Sequence, residues 1–153
     1  MNKEVIKAAR KFRRKVKGKP NVKNVAEEIE AFGYDIIRLN TKRGAKFAKN
    51  IGITDDKLLN GTGFTFCGDV RVVFVNFDRP YADRLHTLLH ELGHITLGHL
   101  GTGWLKWFDA ETAEKEAETF ACEVLRKHKN VFVILHDKII GFINSYQEGA
   151  LTA

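Results

Sequence analysis

The stretch HTLLHELGHITLGH, residues 86–99, carries four of the six histidines of the chain and one internal glutamate. Within it, His90, Glu91 and His94 form an H-E-x-x-H pattern. On an α-helix, positions i and i+4 differ by only about 40° around the axis, so both imidazoles face the same way one turn apart. Two imidazoles in this arrangement can bind one Zn²⁺ at roughly 2.0–2.1 Å each. The spacing therefore predicts a zinc site on a helix.

Glu91 has a different position on the same helix. It lies about 100° around the axis from His90, so it flanks the metal rather than ligating it. A carboxylate in that place suits a general base that takes a proton from water next to the metal. The alternative is a helix whose histidines only pack or face solvent. Leucine-rich flanks and the helix-weakening Gly93 count against that alternative.

A catalytic zinc usually takes three protein ligands and leaves the fourth position to water. A helix predicted over residues 109–129 offers candidates for the third ligand, namely Glu111, Glu114, Glu116 and Glu118. We predict that Glu114 binds the metal and that Glu118, one turn on, accepts the N–H of a metal-bound histidine. The reverse assignment is the alternative, and Glu111 and Glu116 fit a solvated acidic stripe better.

Two further histidines flank the motif. His86 lies one turn before His90 and either faces the cleft or has a capping or surface role. His99 misses the third-histidine position of the metzincin pattern H-E-x-x-H-x-x-G-x-x-H by one residue. We therefore reject the metzincin class.

The two motifs RLHTLLHELGHITLGH (84–99) and EKEAETFACEVL (114–125) together resemble the ImmA/IrrE-type zinc metallopeptidases. These have an H-E-L-G-H helix and a later E-x-E-A-N/D-x-F-A helix, and the resemblance spans roughly residues 22–126. It implies a zincin-like fold and zinc bound at positions that match His90, His94 and Glu114, with Glu91 as the catalytic carboxylate. It also implies cleavage or inactivation of a repressor in a mobile element or a stress response. Glu118 departs from the family's Asn or Asp.

The elements that must position these residues are predicted from periodicity and turn signals. Helices are expected over 5–16, 22–32, 84–97 (with Asp83 as its cap and Gly98 as its end) and 109–129. Strands are expected over 34–39 and in a hairpin that turns at Gly68-Asp69, with 41–50 as a loop or weak edge strand. Residues 131–135 are expected to form a strand or buried turn before a C-terminal helix. The order indicates an α+β domain in which a small antiparallel sheet packs with the two motif-bearing helices.

Length and composition indicate one domain over residues 1–153, divided into a basic helical arm (1–20), a catalytic core (22–128) and a C-terminal extension (129–153). The longest apolar run, Val131–Leu135, is far shorter than the roughly 20 residues of a membrane helix, so no membrane partner is expected. The N-terminus lacks the apolar segment of a secretory signal. Cys67 and Cys122 lack metal-ligand or disulfide spacing, which favours a reducing cytoplasm.

Positive charge is concentrated at one end of the chain. Residues 1–23 contain ten Lys/Arg and one acid, a net charge of +9, whereas the whole chain carries +6. Such a segment predicts contact with nucleic acid or with an acidic protein surface. The alternative is a solvated helix face.

The second strand of the predicted hairpin, which precedes the helix 84–97, indicates how a substrate binds. We expect it to be an edge strand that pairs with an extended peptide through main-chain hydrogen bonds. The residues that would do so are Val72, Val73, Phe74, Val75 and Asn76. The leading function is therefore a zinc-dependent endopeptidase with a protein or peptide substrate, with Tyr81 and His128 as candidate oxyanion stabilisers. The alternative is a zinc-stabilised binding module whose basic arm engages DNA or a protein partner without peptidase activity.

Overall fold

The computed structural model describes residues 2–53, 62–100 and 110–126. Within these ranges the chain forms five α-helices and one three-stranded sheet. In chain order the elements are α1 (Lys3–Lys15), α2 (Val22–Ala31), β1 (Asp35–Arg38), α3 (Lys42–Asn50), β2 (Gly63–Cys67), β3 (Arg71–Val75), α4 (Tyr81–Leu97) and α5 (Ala110–Leu125). None of these helices combines the length and apolar composition needed to cross a bilayer. The expected elements in 129–153 lie outside the described residues.

The sheet has the strand order β1-β3-β2. β2 and β3 form an antiparallel hairpin in which Gly63 lies opposite Val75, which confirms the predicted hairpin. β1 pairs in parallel with β3, with Asp35 opposite Val72. The α+β class is therefore confirmed, but the sheet is mixed rather than antiparallel throughout. The reason is that the chain crosses over through α3 between β1 and the hairpin.

β3 is the central strand, so the prediction that Val72, Val73, Phe74, Val75 and Asn76 form a substrate-binding edge strand is wrong. Its backbone is already paired with β1 on one side and β2 on the other. The apolar side chains from Val72 to Val75 are at most 1% exposed, and the Asn76 N–H donates to the Thr62 carbonyl at 2.9 Å. An uninterrupted apolar run is typical of a strand covered on both faces. Within the described part of the chain, β2 is an edge strand of the sheet, and it contacts the helix Tyr81–Leu97.

α3 replaces the loop or weak edge strand predicted over residues 41–50, and that prediction is wrong. The Thr41 hydroxyl caps the helix by accepting the Gly44 N–H at 3.0 Å. Gly44 does not break the helix, because it allows the helix to approach the end of β1. A Cβ at this position would lie 2.0 Å from the Arg38 carbonyl oxygen. Ala48 then packs in a small core with Val72.

α1 carries the basic N-terminal segment and packs on α5. Its apolar side is buried in the main core through Val5, Ile6, Ala9 and Phe12. Its other side exposes the basic residues Lys3, Lys7, Arg10, Lys11 and Arg14. The segment is therefore a packed amphipathic helix with a basic outer face rather than a detached arm. The division of the chain at residues 22 and 128 stays a prediction.

α4, the helix of the H-E-x-x-H motif, begins earlier than predicted. It starts at Tyr81 directly after Pro80, so Asp83 lies in its first turn instead of capping it. A negative charge there still favours the helix through the helix dipole. The predicted end is confirmed, since Gly98 has φ 72° in the left-handed region that favours glycine.

α4 and α5 lie against each other in opposite directions. A Cβ added at Gly93 would lie 3.1 Å from the Ala117 Cα atom and 3.2 Å from its carbonyl oxygen. The absence of a side chain at Gly93 therefore allows the two helices to approach closely. This close approach brings the histidine face of α4 opposite the glutamate face of α5.

Candidate metal centre

Three candidate ligands, here called the inner centre, meet between α4 and α5: His90, His94 and Glu114. The His90 Nε2 atom lies 3.1 Å from His94 Nε2 and 3.1 Å from Glu114 Oε2. The His94 Nε2 atom lies 3.4 Å from Glu114 Oε1. Two ligand atoms bound to one zinc at roughly 2.0–2.1 Å with a tetrahedral angle are about 3.3 Å apart. The three side chains are therefore spaced for one tetrahedral ion.

The partners of the histidines define their tautomers. His90 Nδ1 lies 3.4 Å from Glu118 Oε2, which can only accept, so Nδ1 carries the proton. His94 Nδ1 lies 3.1 Å from His99 Nδ1, and His99 Nε2 lies 3.1 Å from Glu116 Oε2. His99 therefore donates from Nε2 to the carboxylate and accepts at Nδ1. This leaves the proton of His94 on Nδ1.

With these tautomers, the inner centre contains acceptors only. Both Nε2 atoms direct lone pairs at each other and at the Glu114 carboxylate, and such a group is repulsive unless a cation lies among them. Burial lowers the pKa of His94 to about 4, so at neutral pH its imidazole is in the uncharged form that binds metals. Two imidazole nitrogens and one carboxylate oxygen are a ligand set of catalytic zinc sites. The residues present thus fit a zinc ion.

Glu114 and Glu118 take different places around His90. Glu114 faces the two Nε2 atoms, whereas Glu118 lies behind the ring, at Nδ1. Of the two assignments left open by the sequence, this geometry favours Glu114 as the ligand and Glu118 as the residue that orients His90. The two roles remain predictions.

Glu91 lies on the sheet side of α4, close to the inner centre. Its side chain is buried, and its Oε2 atom accepts a 2.6 Å hydrogen bond from the Thr65 hydroxyl on β2. Burial raises the pKa of the Glu91 carboxyl, while the Thr65 hydrogen bond and the nearby His90 act to lower it. A carboxyl with a raised pKa is suited to accept a proton and give it back.

These side chains line one open cleft of about 540 Å³. One wall is formed by the edge strand β2 with Gly63, Phe64 and Thr65, and the other by Glu114 and Glu118 of α5. The face of α4 that carries the H-E-x-x-H motif lies between them. The cleft therefore gives access from solvent to the ligands and to Glu91 together.

A family model described as the IrrE N-terminal-like domain, Peptidase_M78, matches residues 30–129. The match includes α4, α5 and every residue of the inner centre. The chain belongs to this family. Membership confirms the resemblance drawn from the two motifs and makes this a zincin-like domain of the metallopeptidase type. No curated protein and no solved structure matches the chain.

Three residues of this M78 site were missed by the sequence reasoning: Thr65, His99 and Glu116. His99 reaches His94 because the left-handed turn at Gly98 folds the chain back, so that the His99 N–H donates to the His94 carbonyl at 3.0 Å. The His99 side chain is only 2% exposed. Glu116 was assigned to a solvated stripe, and helical periodicity places it on the side of α5 opposite Glu114 and Glu118. No local pattern links Thr65 or Glu116 to the motif, since each contacts it from a distant segment, whereas the turn at Gly98 is a local signal that could have placed His99 next to His94.

The two candidate oxyanion stabilisers are not brought to the inner centre by the described structure. The Tyr81 hydroxyl accepts the Val22 N–H at 3.2 Å. Tyr81 is at the start of α4, nine residues and about 13 Å along the helix axis from His90. His128 lies outside the described residues.

Proposed function

We propose that this protein is a zinc-dependent endopeptidase in which His90, His94 and Glu114 hold the metal and Glu91 is the general base. The observation that carries the proposal is the meeting of three acceptor atoms next to a buried carboxyl in one open cleft. The three acceptor atoms repel one another unless a cation binds between them, and the Glu91 carboxyl can accept a proton beside that cation.

In hydrolysis, one residue of the site transfers protons and the others hold the reacting groups in place. Glu91 takes the proton of the attacking water and returns it to the leaving amine, while the Thr65 hydroxyl holds the Glu91 carboxylate in place through its Oε2 atom. When bound, the zinc ion lowers the pKa of that water and polarises the scissile carbonyl. Glu118 and His99 accept the Nδ1 protons of the two histidine ligands and so orient the rings.

The substrate is an extended peptide that pairs with the outer edge of β2. Among the described residues this strand pairs only with β3, and its residues line the cleft beside Glu91. An edge strand offers unpaired main-chain donors and acceptors, so it can align a peptide without demanding a particular sequence. Gly63, Phe64 and Thr65 are the residues of β2 that line the cleft.

The biological substrate is a repressor-type regulatory protein of a mobile element or a stress response. Support comes from the family resemblance and from the exposed basic face of α1. That face would attract either an acidic surface of the repressor or the DNA to which it binds.

The substitution Glu91→Gln tests the peptidase proposal. It keeps the shape of the side chain but removes the proton acceptor, so hydrolysis of a peptide substrate should fall by about 10²- to 10⁴-fold. Zinc content, measured by elemental analysis, and the thermal unfolding midpoint should stay close to those of the wild type. The matched control is Glu111→Gln, since Glu111 lies at the exposed start of α5 and pairs with Lys115.

Hydrolysis by Glu91→Gln at the wild-type rate would remove this residue from the mechanism. A wild-type protein that holds zinc and cleaves no peptide or protein offered to it would contradict the peptidase itself. Together with salt-sensitive DNA binding, that result would favour the zinc-stabilised binding module.

Charge reversal on α1 tests the role of the basic face without removing the helix from the core. The triple variant Lys3→Glu, Lys7→Glu, Lys11→Glu should cleave an intact repressor about tenfold more slowly at low salt, because steering is electrostatic. A short peptide that contains the scissile bond should be cut at the wild-type rate. The control variant reverses Lys42, Arg43 and Lys46 on α3, which changes the net charge equally. Equal rates for both triple variants would show that the location of the charge is irrelevant.

A further inference from the structure

A second group of metal-ligating side chains lies one turn away from the inner centre. We call it the outer cluster: His86, Glu118 and Cys122. His86 Nε2 lies 3.1 Å from Glu118 Oε1, and Cys122 Sγ lies 3.3 Å from the same oxygen. One atom from each of the three side chains lies within 4.8 Å of the others.

The outer cluster follows from the antiparallel packing of α4 and α5. In the inner centre α4 supplies two ligands at i and i+4, and α5 supplies one. One turn further out the pattern is reversed, because α5 supplies Glu118 and Cys122 at i and i+4 and α4 supplies His86. The same helix contact therefore brings together two groups with the spacing of metal ligands.

Glu118 contacts both His90 of the inner centre and the other two residues of the outer cluster, through a different carboxylate oxygen in each case. Its Oε2 atom faces His90 Nδ1, while its Oε1 atom faces His86 and Cys122. The carboxylate can therefore orient the inner histidine and still offer an oxygen to a second ion. The outer cluster has no ligand in common with the inner centre.

We infer that His86, Glu118 and Cys122 form a second metal site, for a thiophilic divalent ion such as Zn²⁺. An imidazole nitrogen, a carboxylate oxygen and a thiolate sulfur are all zinc ligands, and the sulfur favours zinc over the oxygen-preferring Mg²⁺ and Ca²⁺. Binding releases the thiol proton of Cys122 to solvent, and water fills the fourth position. Since His86 and Glu118 also line the cleft, the ion lies at the wall of the substrate path.

Cobalt distinguishes the two sites, because only the outer cluster contains sulfur. Full-length protein with its own metal in place is reduced with a phosphine, incubated with excess Co²⁺ and freed of unbound ion. The wild type should show a near-ultraviolet thiolate-to-cobalt charge-transfer band. The Cys122→Ser variant should lack that band and carry one metal ion fewer per chain. This experiment measures metal content and absorption rather than hydrolysis. Its outcome is therefore independent of whether the protein is a peptidase.

Cys67→Ser is the matched control, since Cys67 is the other free cysteine and lies on β2 away from the cluster. It should keep both the band and the wild-type metal content, whereas His86→Ala should lose the same ion as Cys122→Ser. Both Cys122 and the His86 side chain are solvent-accessible, so the variants should fold, as thermal unfolding will check. A wild type without the band, a band that survives Cys122→Ser, or one lost with Cys67→Ser would overturn the site. Full metal content in His86→Ala would remove His86 from it.

Discussion

The inner centre and the outer cluster are built from the same two helices one turn apart, but they differ in how their histidines are held. The inner histidines His90 and His94 are 20% and 9% exposed, and each has a partner at Nδ1, on the far side of its ring. His86 of the outer cluster is 39% exposed and meets Glu118 through Nε2. Helical spacing alone therefore brings ligands together, while burial and a partner for the second ring nitrogen hold them in one orientation. We expect the inner centre to bind zinc more tightly for this reason.

Replacing His94 with alanine should have the largest effect on the difference in zinc affinity between the inner centre and the outer cluster. The variant loses an inner ligand, so zinc at the inner centre and hydrolysis should both be lost. Zinc that binds only the folded state stabilises it by about 2.7 kcal/mol at a concentration 100 times its Kd. That gain should disappear from thermal unfolding measured with and without zinc, while the cobalt–thiolate band of the outer cluster remains. Wild-type zinc content in this variant would mean that the inner centre is not where the metal binds.

The pair Glu114→Ala and Glu118→Ala compares a ligand with the residue behind it. Glu114→Ala should release zinc from the inner centre, because it removes one of three ligands. Glu118→Ala should weaken zinc binding by about 10- to 100-fold, as is usual when a residue that orients a metal-bound histidine is lost. Competition with a chromogenic chelator measures both affinities. It is carried out in a Cys122→Ser background, so that only the ion of the inner centre is titrated. If Glu118→Ala released zinc and Glu114→Ala retained it, the two assignments would have to be exchanged.

The Glu116→Gln substitution tests the most distant of the residues that orient the two inner histidines. Glu116 accepts from His99, which in turn accepts from His94, so the variant changes an orientation two contacts away from the metal. Zinc affinity should fall by about tenfold or less, the lower end of the range for such partners. The same chelator titration measures it, with Glu111→Gln as the control on α5. An effect as large as that of Glu114→Ala would show that Glu116 is itself a ligand.

Much of the inner centre could be predicted because several of its residues are close together in the sequence, on one helix. The i and i+4 spacing of His90 and His94, and the position of Glu91 beside them, depend only on the period of one helix. The left-handed end at Gly98 and the hairpin between β2 and β3 also arise from residues near each other in the chain. The later glutamate helix was recognisable because its own periodicity is strong.

The features that were missed or misread depend on contacts between distant segments. The apolar run of β3 was interpreted as an edge strand, although β1, more than thirty residues earlier, covers its other side. Residues 41–50 were interpreted as a loop or weak edge strand, because the close approach to Arg38 that requires a glycine at position 44 of a helix is not visible in the sequence. In each case the residue types were compatible with both interpretations, and packing decided between them.

The sequence by itself determined which residues of this protein can bind a metal and on which face of each helix they lie. Only the tertiary structure decided which of them meet. The register of α4 against α5 follows from the contact of Gly93 with Ala117, and a shift of one turn would pair His90 with different glutamates. That register, together with the turn at Gly98, puts Glu114 among the ligand atoms, His99 behind His94 and Cys122 next to His86. Helix periodicity is set by local hydrogen bonds, whereas the register between helices is set by the packing of side chains far apart in the chain.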